Sequence, residues 1–250
     1  MKIMAIIPAR YASTRFPGKP LALLGGKPVV QWVYERASQV FEYVAVATDD
    51  ERIQNCVKGF GGRVIMTSPH HCSGTDRACE AMLISGYNPN IVVNIQGDEP
   101  FVDQAQLKAL ATCFEDEDTD IATIVRPFTG SYEELEDPNK VKVVRDDKDF
   151  AMYFSRSVIP YTRGAEPSAW PSISAYYTHI GLYGYRADVL KKISKLPQSP
   201  LEKAENLEQL RWLQAGMRIR TAVSDSVSIG IDTPADLEEA QRIIKNNLHG

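Results

Sequence analysis

The segment Pro8 to Leu21, PARYASTRFPGKPL, places Arg10, Arg15 and Lys19 within ten residues, among the small residues Ala12, Ser13 and Gly18. A triphosphate needs several positive donors and backbone N–H groups that can approach closely, and this loop offers both. It matches neither G-x-G-x-x-G nor G-x-x-x-x-G-K-[ST], which argues against a dinucleotide fingerprint and a P-loop. A basic surface loop is the alternative. Two carboxylates complement these cations. Asp98 lies in QGDEP after the apolar run Ile91 to Ile95, and Asp232 lies in GIDTP. Carboxylates at strand ends suit Mg²⁺, which takes one or two of them and completes its shell with substrate phosphates. The alternatives are a turn or cap for Asp98 and a cap on the last helix for Asp232, with Pro234 in its first turn. SGTDR brings Ser73, Gly74, Thr75 and Arg77 to the start of a helix, where hydroxyls, N–H groups and a guanidinium can meet one ligand; a Ser/Thr cap beside a solvated Arg77 is the plainer reading. Two further patterns are weak. Asp116 to Asp118 forms a D-x-D inside the acidic run Glu115 to Asp120, which reads as a solvated helix end. His70, His71 and Cys72 lack the second half that a zinc site needs.

Elements must hold these groups in place. Short β-rich runs alternate with helical periodicity in the first half, the pattern of βαβ units and a mainly parallel sheet. Strands are predicted over Lys2 to Pro8, Tyr43 to Thr48, Arg63 to Met66, Ile91 to Gln96 and Ile121 to Pro127. Val29, Trp32, Val33, Ala37 and Val40 recur at helical spacing, and Asp103 is placed to cap a helix running to Phe114. Beyond residue 127 the pattern changes to a hairpin in VKVVRDDKDFAMYFS that turns at Asp146 to Lys148. A strand at Thr178 to Tyr185, a helix at Leu201 to Ala215, a strand at Ile219 to Val223 and a helix at Pro234 to Asn247 follow. The fold class is α/β, a mainly parallel twisted sheet flanked by helices with a smaller second lobe containing an antiparallel hairpin. The chain reads as a single domain over 1–250, whose nucleotide-binding part takes about 1–127 plus 219–250 and whose second lobe takes about 128–218.

Composition narrows the function classes. The 250 residues are 44% hydrophobic and 24% charged, so a disordered or low-complexity chain is excluded. A net charge of −4 and the lack of a Lys/Arg cluster argue against nucleic acid. The longest stretch without Asp, Glu, Lys or Arg, Pro167 to Tyr185, is rich in Pro, Ser, Thr, Tyr and Gly, so no membrane span is expected. The N-terminus reads as a first strand, with no secretory cleavage site. Cys56, Cys72, Cys79 and Cys113 show no C-x-x-C spacing and read as reduced thiols of a cytoplasmic protein.

PARYASTRFPGKPL, SGTDR, VNIQGDEP, YFSR, HIGLYGYR, SPLEKAENLEQLR and IDTPADLE occur in this order over nearly the whole chain. Together they resemble the sugar cytidylyltransferases, most closely the 3-deoxy-manno-octulosonate (Kdo) cytidylyltransferase family. The resemblance implies a nucleotide-diphospho-sugar transferase-like fold. The implied reaction joins CTP and Kdo to give CMP-Kdo and pyrophosphate for lipopolysaccharide synthesis. It implies CTP contacts at Ala9, Arg10, Arg15, Lys19, Ser73, Gly74, Thr75, Arg77 and Gln96, and Mg²⁺ at Asp98 and Asp232. Catalytic weight would fall on Asp98, Asp232, Lys19 and Arg10. An acidic ketosugar needs a cation for its carboxylate and polar groups for its hydroxyls. Arg156, His179, Tyr183, Glu208 and Gln209 are expected there, with Lys142 and Arg163 as weaker candidates. Glu208 and Gln209 could instead be surface residues, and His179 a satisfied strand histidine. A related nonulosonic acid as acceptor, or a binding module without catalysis, are the rival readings. A homodimer is implied as well, with Trp170, Tyr176 and Tyr177 as interface aromatics; a lid over the acceptor site is the alternative for that stretch. Phe16 stands where the family pattern has Leu, and Pro167 to Tyr176 has no close match.

Overall fold

A computed structural model describes residues 1–12, 15–226 and 230–248; Ser13, one of the small residues of the cationic loop, lies outside them. The chain forms two compact units, Met1–Lys108 with Val227–Gly250, and Ala109–Ser226. The sequence had put this division near residue 127.

In the first unit, strands β1 (Ile3–Pro8), β2 (Tyr43–Thr48), β3 (Val64–Met66) and β4 (Ile91–Asn94) form a parallel sheet in the order β4-β1-β2-β3. Met4 to Ile7, Val44 to Ala47 and Ile91 to Val93 are all buried, which explains why these strands read as unbroken apolar runs. Each buried Val, Ile or Met side chain among them contributes roughly 1.5–3 kcal/mol. The crossovers are helices α1 (Val29–Ser38), α2 (Glu51–Gly59) and α3 (Gly74–Ile84). α1 buries Val29, Val30, Val33 and Ala37 on one stripe. Asp50 and Ser73 start α2 and α3 as caps, their side chains accepting from the N–H groups of Arg52 and Asp76.

The boundary between the units falls inside helix α4 (Gln104–Thr112), whose predicted continuation to Phe114 tightens into a 3₁₀ turn at Cys113–Glu115. Asp103 caps it as expected, accepting from the Ala105 N–H at 2.8 Å. In the second unit β5 (Ile121–Pro127) starts the sheet, followed by α5 (Tyr132–Glu136) and the hairpin β6 (Lys142–Arg145) and β7 (Ala151–Ser155). Next come α6 (Trp170–Ile173), β8 (Tyr177–Arg186), α7 (Ala187–Ile193), α8 (Pro200–Glu205), α9 (Gln209–Gln214) and β9 (Ile219–Val223). β9 runs parallel to β5, and β8 runs antiparallel to β5. Helix α10 (Pro234–Leu248) belongs to the first unit, where Ala240 and Ile244 pack with Leu24, Val29 and Ile231.

Two expectations are corrected. The helix predicted over Leu201 to Ala215 is two helices, because Asn206 takes a left-handed backbone with φ 52°. Trp170 and Tyr176 are buried with Leu135 in a cluster of the second unit, so they are core residues rather than interface aromatics. The D-x-D run lies, as expected, at an exposed helix end, where Asp118 lies 2.6 Å from the Arg218 guanidinium and Asp116 pairs with Arg220.

Candidate active site

The cationic loop leaves the C-terminal end of β1, where parallel sheets open their ligand crevices. Its departure is fixed by the Ala9 N–H, which donates to the Ala47 carbonyl of β2 at 2.9 Å. The loop closes on itself where the Gly18 N–H donates to the Tyr11 carbonyl at 2.8 Å, and Lys19 then begins a one-turn 3₁₀ helix. Gly18 has φ +73°, a conformation that favours glycine.

Asp98 and Asp232 are 134 positions apart by their numbers, and a backbone hydrogen bond joins their segments: the Ile231 N–H donates to the Asp98 carbonyl at 2.8 Å. Between the two carboxylates sits the Lys19 ammonium, 2.5 Å from Asp98 Oδ2 and 3.2 Å from Asp232 Oδ1. Arg15 reaches the same Asp232 oxygen at 3.1 Å. Asp232 is free for this because it does not cap α10. The N-cap is Thr233, whose Oγ1 accepts from the Asp236 N–H at 3.3 Å, and Asp236 in the first turn closes the cap, its Oδ2 accepting from the N–H groups of Thr233 and Asp232 at 2.7 and 2.9 Å. These bonds hold the Asp236 carboxyl below its ordinary range.

A cavity of about 230 Å³ opens here, lined by Ala9, Arg10, Lys19, Gly74, Gln96 and Asp98 among others. The Arg10 guanidinium donates to the His71 carbonyl. Gly97 was missed by sequence reasoning, although QGDEP displays it: a Cβ there would lie 2.7 Å from the Pro8 carbonyl oxygen, so glycine lets the β4 exit lie against the β1 exit. Glu99 is pushed up to about 7, by burial first and by the Asp98 charge second.

The SGTDR residues divide in role. Ser73 is the cap of α3, as the plainer reading had it, and its Oγ accepts from the Asp76 N–H at 3.1 Å. Thr75 is buried, and Gly74 lines the cavity. Arg77 is not solvated: it is fully buried, donating to Thr67 Oγ1 at 2.6 Å and lying 3.2 Å from Asp49. Its Nε and Nη2 have no protein partner, and burial lowers its pKa despite Asp49. No local signal marked Asp49 and Thr67, which meet Arg77 through tertiary packing.

The second unit brings together His179, Tyr183 and Trp212. A bulge in β8 between Ile180 and Tyr183 shifts its register against β5. His179 and Tyr183 have ring centroids 5.3 Å apart, and Trp212 stands edge-on to Tyr183 at 5.1 Å. The Thr123 hydroxyl donates to the Leu182 carbonyl at 2.9 Å, so it accepts from His179 Nε2–H at 2.9 Å and leaves Nδ1 as an acceptor. Burial lowers the His179 pKa to about 4, which keeps the ring neutral. Tyr183 Oη, Gln209 Nε2 and Trp212 Nε1 are buried without a protein partner. Unsatisfied groups of this kind mark a place for a polar ligand or water. Glu208 is half-buried and lies 2.5 Å from the Arg211 guanidinium.

Arg156 spends its donors on the backbone, with Nε to the Glu205 carbonyl at 2.6 Å and Nη1 to the Pro138 carbonyl at 2.8 Å. Lys142 is fully buried and donates to the Asp137 carbonyl at 3.0 Å, whereas Arg163 is exposed. His71 lies 2.5 Å from Glu80, and no group of three metal-binding side chains occurs among the described residues.

A parallel sheet whose strand ends gather cations and paired carboxylates is the architecture of a nucleotidyltransferase, and the family model described as cytidylyltransferase matches residues 4–219. Similarity to known proteins refines the class. A 3-deoxy-manno-octulosonate cytidylyltransferase of Phocaeicola vulgatus is 57% identical over 247 residues, 98% of each chain. Another, from Thermodesulfovibrio yellowstonii, is 46% identical over 98% of each chain. A solved structure of CMP:2-keto-3-deoxy-manno-octonic acid synthetase complexed with CTP superposes with a TM-score of 0.90 at 42% identity, covering 99% of this chain and all of that one. The chain belongs to the 3-deoxy-manno-octulosonate cytidylyltransferase family.

Proposed function

We propose that this protein transfers the CMP moiety of CTP to Kdo. The observation that carries this reading is the Lys19 ammonium bridging Asp98 and Asp232 beside the cavity lined by Arg10 and Gln96. Two carboxylates already converging on one cation fit a divalent metal, and Asp98 and Asp232 would hold Mg²⁺. When bound, it neutralises triphosphate charge and favours departure of pyrophosphate.

Arg10, Arg15 and Lys19 bind the triphosphate, Gln96 and Gly74, which line the cavity, face the nucleoside, and Arg77, buried on Asp49 and Thr67, supports that set from within the fold. The acceptor's anomeric hydroxyl attacks the α-phosphorus in line. The new O–P bond forms as the bond to the β-phosphate bridging oxygen breaks, pyrophosphate leaves and the hydroxyl proton passes to solvent. No covalent enzyme intermediate is required, so positioning and charge neutralisation carry the rate. His179, Tyr183 and Gln209 orient the acceptor's hydroxyls, their open donors and acceptor supporting that role. Arg156, Glu208, Ser73 and Thr75 complete the proposed set at its edges, Arg156 with the guanidinium capacity left beyond its carbonyl bonds.

The same reading includes a homodimer, a cytoplasmic location and a product destined for lipopolysaccharide. Exposed Tyr161 and Ile173 of the second unit support a dimer surface, and four free cysteines support a reducing compartment. No helix among the described residues is long and apolar enough to cross a membrane. The test is pyrophosphate release with Mg²⁺ and CTP plus Kdo, beside a nonulosonic acid as acceptor and UTP, ATP or GTP as donor. Release confined to CTP and Kdo is expected. Release with a nonulosonic acid alone moves the acceptor, and release with no pair refutes the activity.

A further inference from the structure

The cationic loop is held at its base by one aromatic ring. Tyr11 accepts the Gly18 N–H at its carbonyl, and its ring lies so near Gly18 that a Cβ there would stand 3.1 Å from Cζ. Over the same ring lies the Arg52 guanidinium, with Cζ 3.3 Å from the ring centroid. That guanidinium is aimed by Asp50 through two bonds, Nε to Oδ1 at 3.0 Å and Nη2 to Oδ2 at 2.6 Å. Asp50 is itself fixed from both sides. Its carboxylate accepts the Arg52 N–H at the start of α2, and its own N–H donates to Thr48 Oγ1 at the end of β2. A line of contacts thus runs from the sheet through Thr48, Asp50, Arg52 and Tyr11 to Gly18, the residue before Lys19.

We propose that Tyr11 and Arg52 form a positioning clamp that presets the cationic loop for a nucleoside triphosphate, with Arg52 acting through the Tyr11 ring and not on the nucleotide. The physical reason is entropic. A loop that must gather Arg10, Arg15 and Lys19 around one polyanion loses freedom on binding, and a loop already closed at its base loses less. A guanidinium held flat by two bonds to a carboxylate keeps its face over the ring, whereas a lysine retains the charge without that planar fit. Sequence alone does not reveal the pairing, because Arg52 lies 41 positions after Tyr11 by its number and reads as a solvated helix residue.

The proposal rests on the nucleotide reading of the loop, so its test has two readouts. The first is kinetic. Arg52→Ala and Tyr11→Leu should each raise the KM for CTP about 2- to 5-fold with kcat and the KM for Kdo changed less than about twofold, the size expected of an exposed cation–π contact. Arg52→Lys should fall between Arg52→Ala and wild type, and Tyr11→Phe, which keeps the ring, should match wild type. The double variant Tyr11→Leu/Arg52→Ala should be no worse than Tyr11→Leu, since one contact is lost once. The second readout needs no nucleotide: amide hydrogen exchange at Gly18 should speed up in Arg52→Ala and be intermediate in Arg52→Lys. Unchanged CTP affinity together with unchanged Gly18 exchange in Arg52→Ala overturns the clamp. Additive effects in the double variant overturn it too, because they would mean that Arg52 attracts the nucleotide independently of Tyr11. A wild-type protein that ignores CTP while Gly18 exchange still responds to Arg52 would refute the nucleotide reading and leave the clamp standing.

Discussion

At the scale of single residues, the decisive feature is that Lys19, with its side chain 13% exposed, has Asp98 and Asp232 as neighbours of opposite charge. Removing one carboxylate leaves that cation partly unpaired and takes away one of the two groups proposed to hold Mg²⁺. Asp98→Asn should lower kcat/KM for CTP at saturating Kdo by about 100-fold or more, the usual cost of removing one preorganised electrostatic group from a reacting centre. Pyrophosphate release over a Mg²⁺ titration checks this, and near-normal turnover at saturating Mg²⁺ would contradict it. His179 yields a pH prediction. With its pKa lowered from 6.5 to about 4 by burial, the ring binds a proton more readily in the unfolded chain than in the fold. Its contribution to stability is therefore whole above pH 6.5 and drains away as pH falls from 6.5 through 4. Thermal melts of wild type and His179→Gln should converge or cross over that interval, the wild type losing about 3 kcal/mol or less relative to the variant by pH 4.

At the scale of elements, helix starts decide which acids are free to work. Thr233, closed by Asp236, takes the capping role that the sequence alternative gave to Asp232, and the carboxylate of Asp232 turns to Lys19 and Arg15. Asp236→Ala should cost about 1 kcal/mol in stability, as loss of a helix cap does, and should raise the Mg²⁺ concentration needed for half-maximal turnover. Asp236→Asn retains an acceptor and should restore most of both; calorimetry and a Mg²⁺ titration separate the two effects. What could be read beforehand follows the same logic of local against distant causes. Strands Tyr43–Thr48, Ile121–Pro127 and Ile219–Val223 sit where the sequence put them, because runs of Val, Ile and Ala between turn signals are local facts. The break at Asn206 was not legible, since Leu201, Ala204, Leu207 and Leu210 continue at helical spacing across it. Helices as short as Tyr132–Glu136 carry too few turns for periodicity to register.

At the scale of the molecule, the grouping of residues by role was more legible than their individual contacts. The loop cations, QGDEP and GIDTP could be assigned to one function because a polyanion with a metal needs all three together. The burial of Arg77 could not, because it depends on Asp49 and Thr67, whose own surroundings carry no chemical signature. The fold assigns Arg10, Arg15, Lys19, Arg77, Gln96, Asp98 and Asp232 to the unit built from Met1–Lys108 and Val227–Gly250, and His179, Tyr183, Glu208 and Gln209 to Ala109–Ser226. If each unit supplies the contacts for one substrate, variants should separate by unit. Gln209→Ala, which removes a buried amide whose Nε2 has no protein partner, should raise the KM for Kdo by about 10-fold or more while the affinity for CTP alone shifts less than about threefold. Arg10→Ala should do the reverse, weakening CTP binding by a similar factor while the KM for Kdo at saturating CTP stays within about threefold. Isothermal titration with CTP in the absence of acceptor, set beside steady-state KM values for each substrate, gives both numbers. A loss of CTP affinity in Gln209→Ala as large as that in Arg10→Ala would mean that the nucleotide draws on the second unit as well, and the division of labour by unit would fall.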